Sequence, residues 1–369
     1  AGKDKMIYND GSDEIHDAIA NLAITTLATS GAVTLGAQAT TGITVGGIPF
    51  YYGDTGSIYT HDVSGTDSTA QYNTAYGLTA MDAITTGDDN VAIGFNAGGT
   101  MTTGLENVII GSDAVGTGVM TAGQGVFIGN DAGLNKTSGS SCIFIGYQAG
   151  EQVTTGGSNI FIGRNAGDDH DTENNNLGIG QDALGGSIAG GEYNVAIGSF
   201  TLDALTSGDN NVAVGYEALT TNTAEAGIVA VGYRALKTLN GGDGQSVAVG
   251  SEALEATTTG GYNTAVGYQA LKANTDGGAN VSIGASALLG NTTGDRNIAI
   301  GEAAIYQPDT ENDNLGIGKA ALAGPIAGGE YNVAIGNNAL DALTSGDSNV
   351  AIGYQAGTDL TEGATNILV

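Results

Sequence analysis

The residues best suited to chemistry in this chain are acidic: 39 Asp and Glu oppose 9 Lys and Arg, for a net charge of −30. Carboxylates in turns are ligands that Ca²⁺ prefers, and the first candidates are Asp168, Asp169 and Asp171. No turn, however, repeats a fixed Asp-x-Asp spacing or the Gly-Gly-x-Gly-x-Asp pattern of calcium-binding rolls. We therefore expect no metal or cofactor, with these aspartates as the one calcium candidate. The charge also argues against nucleic acid and anionic membranes as partners.

Groups that could form a catalytic centre are sparse. Cys142 is the only cysteine, and no base near it in the sequence would activate its thiol. His16, His61 and His170 are scattered and do not form a metal-binding pattern. The acidic residues do not cluster with aromatic and basic ones, as a sugar-cleaving cleft requires. We therefore expect no enzymatic activity.

An aromatic residue recurs directly after a glycine and is the one binding feature. The members of this set are Phe95, Tyr147, Tyr216, Tyr233, Tyr268 and Tyr354. Tyrosine rings can stack on sugar faces or pack against a neighbouring coil or chain. The five tyrosines are therefore candidate glycan contacts, but packing against a neighbouring coil or chain is the favoured interpretation.

These residues belong to a short repeat. An Asn-Val-Ala-Ile-Gly-like pentad occurs 17 times at steps of 17 or 18 residues. Its closing glycines are Gly77, Gly94, Gly111, Gly129, Gly146, Gly163, Gly180, Gly198, Gly215, Gly232, Gly250, Gly267, Gly284, Gly301, Gly318, Gly336 and Gly353. This period is too short for a helical hairpin and fits one coil of a parallel β-solenoid. We therefore predict an all-β solenoid of about 17 coils over residues 73–369, with two short strands per coil and no long helix.

Strand alternation predicts two faces for the pentad. We expect the Ile or Val before the glycine, and the apolar residue two positions earlier, to fill the core. The residue between them is usually Ala, but four consecutive coils have Ile109, Phe127, Phe144 and Phe161. On this assignment these four side chains point outwards, so we predict that they form an interface between chains.

Asn opens the pentad in 13 of 17 coils, and the exceptions are Gly125, Cys142, Ile228 and Ser246. Stacked Asn side chains can form an amide ladder that also satisfies the turn backbone. We therefore predict a structural role for this column.

Both ends of the chain differ from the repeats. Residues 1–72 form the predicted N-terminal cap or attachment segment, with a short helix over 12–23 and irregular β-structure over 24–59. The chain ends within a coil at Val369. This indicates that the protein continues, was cleaved there, or offers a half-coil to another subunit.

A longer repeat is superposed on the short one. The sequence DTENNNLGIG at 171–180 recurs as DTENDNLGIG at 309–318, a shift of 138 residues or eight coils. The pentads, with TTGGYNTAVGYQAL at 258–271, resemble the head repeats of trimeric autotransporter adhesins and, more closely, such repeats in bacteriophage tail fibres. That resemblance implies a parallel β-roll and side-by-side association of three chains.

Two functions follow as expectations. The first is a structural fibre of a virion, a homotrimer joined to other tail proteins that extends to a host cell surface and contacts its glycans. The second is a secreted prokaryotic surface filament or adhesin whose subunits polymerise end to end. Both place the protein on a virion surface or outside the cell.

Overall fold

The computed structural model describes residues 43–45, 48–52, 57–60, 69–187, 190–242 and 244–369. Residues 40–369 form one compact unit. The helix predicted over 12–23 lies outside the described residues, as does most of the predicted cap. The boundary predicted between residues 72 and 73 stays a prediction.

All regular elements in the described residues are β-strands. They are β1 Ile43–Val45, β2 Ile48–Tyr52, β3 Ile58–Tyr59, β4 Thr74–Tyr76, β5 Val91–Ile93, β6 Val108–Ile110, β7 Val126–Ile128, β8 Ile143–Ile145, β9 Ile160–Ile162, β10 Leu177–Ile179, β11 Val195–Ile197, β12 Val212–Val214, β13 Val229–Val231, β14 Val247–Val249, β15 Thr264–Val266, β16 Val281–Ile283, β17 Ile298–Ile300, β18 Leu315–Ile317, β19 Val333–Ile335, β20 Val350–Ile352 and β21 Ile367–Leu368. Strands β1, β2 and β3 pair antiparallel in sequence order. From β3 to β21 each strand pairs in parallel with the next, so the predicted parallel β-solenoid is confirmed.

Each coil contains one strand, and the prediction of two strands per coil is wrong. The rest of the coil is a series of turns whose backbone bonds also run from coil to coil. Leu254 N, for example, donates to Ala270 O at 3.1 Å. Glu252, Leu254 and Tyr262 all have positive φ, at 59°, 52° and 60°. Left-handed residues at these points bend the chain, so a second strand cannot form there.

The recurrent glycine closes the strand because no side chain fits at its position. Gly215 has φ of 138°, and a β-carbon on it would lie 2.3 Å from the carbonyl oxygen of Gly232 in the next coil. The same close approach recurs along the stack, as at Gly267 against Gly284. The glycine column therefore allows coils to stack at strand spacing.

The two faces of the strand are the reverse of those predicted. Ala196 is completely buried, whereas Ile197 is 37% exposed and Val195 is half-buried. An alternating pattern shows that two faces exist, but it does not show which one is enclosed. The interior is narrow, and it is filled by the small middle residue of the strand together with a Leu four residues after the glycine, such as Leu219.

The Asn column forms the predicted ladder. Asn263 Oδ1 accepts a hydrogen bond from Asn280 N at 2.9 Å, and Asn263 Nδ2 donates to Gly277 O at 2.8 Å. Both side chains are buried. The amides therefore satisfy turn groups that no strand reaches.

Both copies of the longer repeat contain a buried glutamate that binds backbone amides. The carboxylate of buried Glu173 accepts hydrogen bonds from Asp171 N, Thr172 N and Gly190 N, each at 3.0 Å. Glu311 binds the equivalent amides of the second copy. Each Glu thus ties the turn of its own coil to the next, 18-residue coil.

Candidate interaction surface

The outer face of the parallel sheet is apolar. It consists of the first and third residues of each strand, nearly all Val or Ile, and contains no charged residue between β4 and β20. Ile93, Ile300 and Ile352 are 39%, 37% and 45% exposed. At about 4.8 Å per strand, these 17 strands form a stripe roughly 80 Å long. Contiguous exposed apolar surface of this extent is typical of an interaction site.

The predicted aromatic column lies beside this stripe and is exposed, as at Tyr147 and Tyr354. The rings of Tyr216 and Tyr233 stack on each other, with centroids 5.8 Å apart and planes at 11°. Phe200 meets Tyr216 edge-on, and the Arg234 guanidinium lies 4.9 Å from the centroid of Tyr233. Stacking uses ring faces that a sugar would need, so packing between coils accounts for this pair. Glycan contact by the five tyrosines stays a prediction.

A second exposed aromatic column was missed in the sequence. Its members stand directly before the pentad Asn and have φ near 60°; they are Tyr72, Tyr193, Tyr262 and Tyr331. The recurrent Tyr-Asn pair could have revealed them. The apolar stripe therefore has aromatic residues near both ends of its strands.

Three basic residues in the coils around the aromatic column form ion pairs. Lys237 Nζ and Arg234 Nε bind Glu217 at 2.6 and 2.9 Å, and Lys272 Nζ binds Glu252 at 2.6 Å. These bonds connect side chains from successive coils. Among the described residues, these three cations are therefore paired with carboxylates, which disfavours an anionic partner at this position.

The predicted interface residues lie in the core instead. Ile109, Phe144 and Phe161 are completely buried, and Phe127 is 1% exposed. They belong to the enclosed middle column, so their assignment to an interface between chains is wrong. The outer apolar face belongs to the flanking Val and Ile columns.

The large side chains fit inside because the turn position that faces them in the core carries glycine instead of leucine. We call this pairing the exchange of volume. Where the strand carries Phe144, the position that is Leu in other coils is Gly150, and a β-carbon there would lie 2.7 Å from the ring. Phe127 and Phe161 face Gly133 and Gly167 in the same way. The sequence shows this as Phe-Ile-Gly followed by Ala-Gly, whereas Ala-Ile-Gly or Ala-Val-Gly is followed by Ala-Leu in most of its coils, with Ala-Gly at Gly98 and Gly357 among the exceptions.

The calcium candidates do not form a metal centre. Within the described ranges, no group of three or more His, Cys, Asp or Glu side chains is placed to hold a metal ion. The Asp171 side chain instead accepts a hydrogen bond from Thr154 Oγ1 in the preceding coil.

Two titratable groups near Asp171 are perturbed. Burial, with the nearby charges of Asp169 and Asp182, raises the pKa of Asp168 to about 7. Burial lowers the pKa of His170 to about 3. The His170 ring lies against Phe161, with centroids 4.8 Å apart, and neither ring nitrogen has a hydrogen-bond partner among the described residues. Both groups are therefore favoured in their neutral forms.

No known protein-family model matches this chain, and no curated protein matches it significantly. The resemblance to phage tail fibres and adhesin heads stays a prediction. No helix of the described residues is long and apolar enough to cross a membrane.

Proposed function

We propose that this protein is the shaft of a virion tail fibre, in which copies of the chain associate side by side and extend towards a host cell surface. The observation that supports this proposal is the uncharged apolar stripe on the outer face of a continuous solenoid. A chain with a net charge of −30 repels its copies over most of its surface. The stripe is the surface where copies can approach at little electrostatic cost.

Each coil contributes separately to such an interface. Covering a half-exposed Ile removes several tens of Å² of apolar surface, a stabilisation on the order of 1–2 kcal/mol per coil. Summed over 17 strands, these small contributions give a large stabilisation of the assembly. The resemblance to trimeric adhesins favours three chains around one axis, and a homotrimer is therefore the assembly that we propose.

The assembly is tested by replacing Ile197 with Asp. We expect this variant to dissociate at least about 10-fold more readily, because an unpaired carboxylate would enter the interface in every copy. Ser207→Asp is the matched control, since it adds the same charge at an exposed turn outside the strand. Sedimentation equilibrium measures the mass of each protein.

A wild-type mass equal to one chain at micromolar concentration would contradict the proposal. A mass that increases continuously with concentration would favour the end-to-end filament instead. The virion role is tested separately by immunogold labelling with an antibody against residues 190–242. We expect label on tail fibres, and label on cell surfaces would support the surface filament.

A further inference from the structure

The Asn ladder has an exception at Cys142. In other coils the pentad Asn donates its Nδ2 hydrogen to a carbonyl about 14 residues later, as Asn90 does to Gly104 O at 2.8 Å. The equivalent acceptor for residue 142 is Gly156 O. The Cys142 thiol reaches it only at 3.4 Å and is a weak donor.

Lys136 supplies the missing donor. Its side chain is fully buried, and its Nζ donates to the same Gly156 carbonyl. Lysine is almost never fully buried without a partner. Its column holds apolar side chains in adjacent coils, including Met120 and Val153. The Lys136 stem therefore lies in the core, and the amine replaces the amide that Cys142 lacks.

An amine and a thiol are thus held on one carbonyl oxygen inside a dry core. We propose that Lys136 and Cys142 form a covalent, reversible cross-link when the protein meets hydrogen peroxide. This modification is independent of the proposed fibre function. It would join the turn at residue 136 to the residue directly before strand β8 within one coil.

The chemistry requires two steps. Peroxide first oxidises the Cys142 thiol to a sulfenic acid, and one water is released. The Lys136 amine then attacks this sulfur: the S–N bond forms, the S–O bond breaks, and the hydroxide leaves as water with a proton from nitrogen. One peroxide is reduced, and the protein loses two hydrogens. Burial lowers the pKa of Lys136, an effect that Cys142 partly offsets, so the neutral amine becomes more accessible.

The test uses trypsin on the full chain. The protein is treated with peroxide in about 1 M urea, which promotes the local opening that a buried thiol needs. Excess oxidant is removed, and the denatured protein is alkylated and digested. We expect the cross-link to block cleavage after Lys136, so that residues 6–164 remain one peptide. Its mass should fall by about 2 Da, and dithiothreitol should restore both cleavage and mass.

Two variants act as controls. Lys136→Met keeps the apolar stem without the amine, so Cys142 should gain oxygen atoms and form no link. Cys142→Asn supplies the ladder amide and should leave cleavage after Lys136 complete. A mass increase of about 14 Da with blocked cleavage would retain the pairing and place one oxygen between sulfur and nitrogen. Complete cleavage in the oxidised wild type, with Cys142 either unmodified or carrying only oxygen, would overturn the proposal.

Discussion

The coils from Val126 to Asn176, here called the Phe segment, and those from Val212 to Leu271, the Leu segment, have the same backbone but different interiors. In the Phe segment, large rings project from the strand and the opposing turn carries glycine. In the Leu segment, alanines project from the strand, and leucines project from the turn. The interior can therefore be filled from the strand or from the turn, and at Gly98 the large side chain comes from Ile109 of the next coil.

The rings of the Phe segment also contact one another along the stack. Phe127 and Phe144 meet edge-on with centroids 5.4 Å apart, and Phe144 and Phe161 stack at 5.3 Å. The Phe segment also buries the titratable side chains Lys136, Cys142 and His170, whereas the buried polar side chains of the Leu segment, such as Asn222 and Thr257, are not titratable. The Leu segment has its charged pairs outside the core.

The largest expected effect comes from breaking this exchange of volume. Phe144→Ala should reduce the free energy of unfolding by about 3–5 kcal/mol, because Gly150 leaves nothing to fill the cavity. Adding Gly150→Leu should recover much of this loss, since Leu219 occupies the equivalent position with φ of 53°. Urea denaturation measures both. If the double variant were no more stable than Phe144→Ala alone, Gly150→Leu would not compensate for the lost ring, and the proposed exchange of volume would be contradicted.

A smaller effect is expected from the amide ladder of the Leu segment. Asn263→Ala should cost about 1–3 kcal/mol, because Asn280 N and Gly277 O would lose their buried partner. Thr258→Ala is the control, since this side chain is exposed and water can replace the hydrogen bonds that its hydroxyl makes to the next coil. Equal unfolding free energies for the two variants would show that the ladder does not stabilise the fold.

The Phe segment should also respond to pH in two opposite ways. The pKa of His170 is lowered in the folded state, so its contribution to stability is present above the unfolded pKa near 6.5 and is lost as pH falls towards about 3. The pKa of Asp168 is raised, so its contribution is present below about 3.8 and is lost as pH rises through about 7.

Two substitutions separate these contributions. His170→Leu should stabilise the protein more at pH 4 than at pH 8, and Asp168→Asn more at pH 8 than at pH 4. The measurement is the urea midpoint at about pH 4, 6 and 8. A midpoint change that is the same at all three pH values would rule out titration of the replaced group.

The smallest effect is expected from the ion pairs of the Leu segment. Glu217→Gln should cost less than about 1 kcal/mol at low salt, because Lys237 and Arg234 are both partly exposed to solvent. The difference from wild type should disappear at about 1 M NaCl. A loss that persists at high salt would instead indicate a packing role for Glu217.

Sequence reasoning succeeded where the repeat itself carries the information. The 17- or 18-residue period predicted the parallel solenoid, and the Asn column predicted the amide ladder. It failed at Phe127, Phe144 and Phe161 because strand periodicity does not distinguish the enclosed face from the open one. Pairing each Phe with the glycine six residues later would have shown the inward direction.

The sequence by itself determined the stack of coils, since a coil of this length cannot bury its apolar residues without its neighbours. It also determined where each strand ends, because only glycine fits at a corner in contact with the next backbone. Tertiary structure alone decided which column became core. The three left-handed residues of each coil set a narrow interior that accepts Ala beside Leu, or Phe beside Gly. The Val and Ile columns remain on the outer face because these pairs already fill the interior.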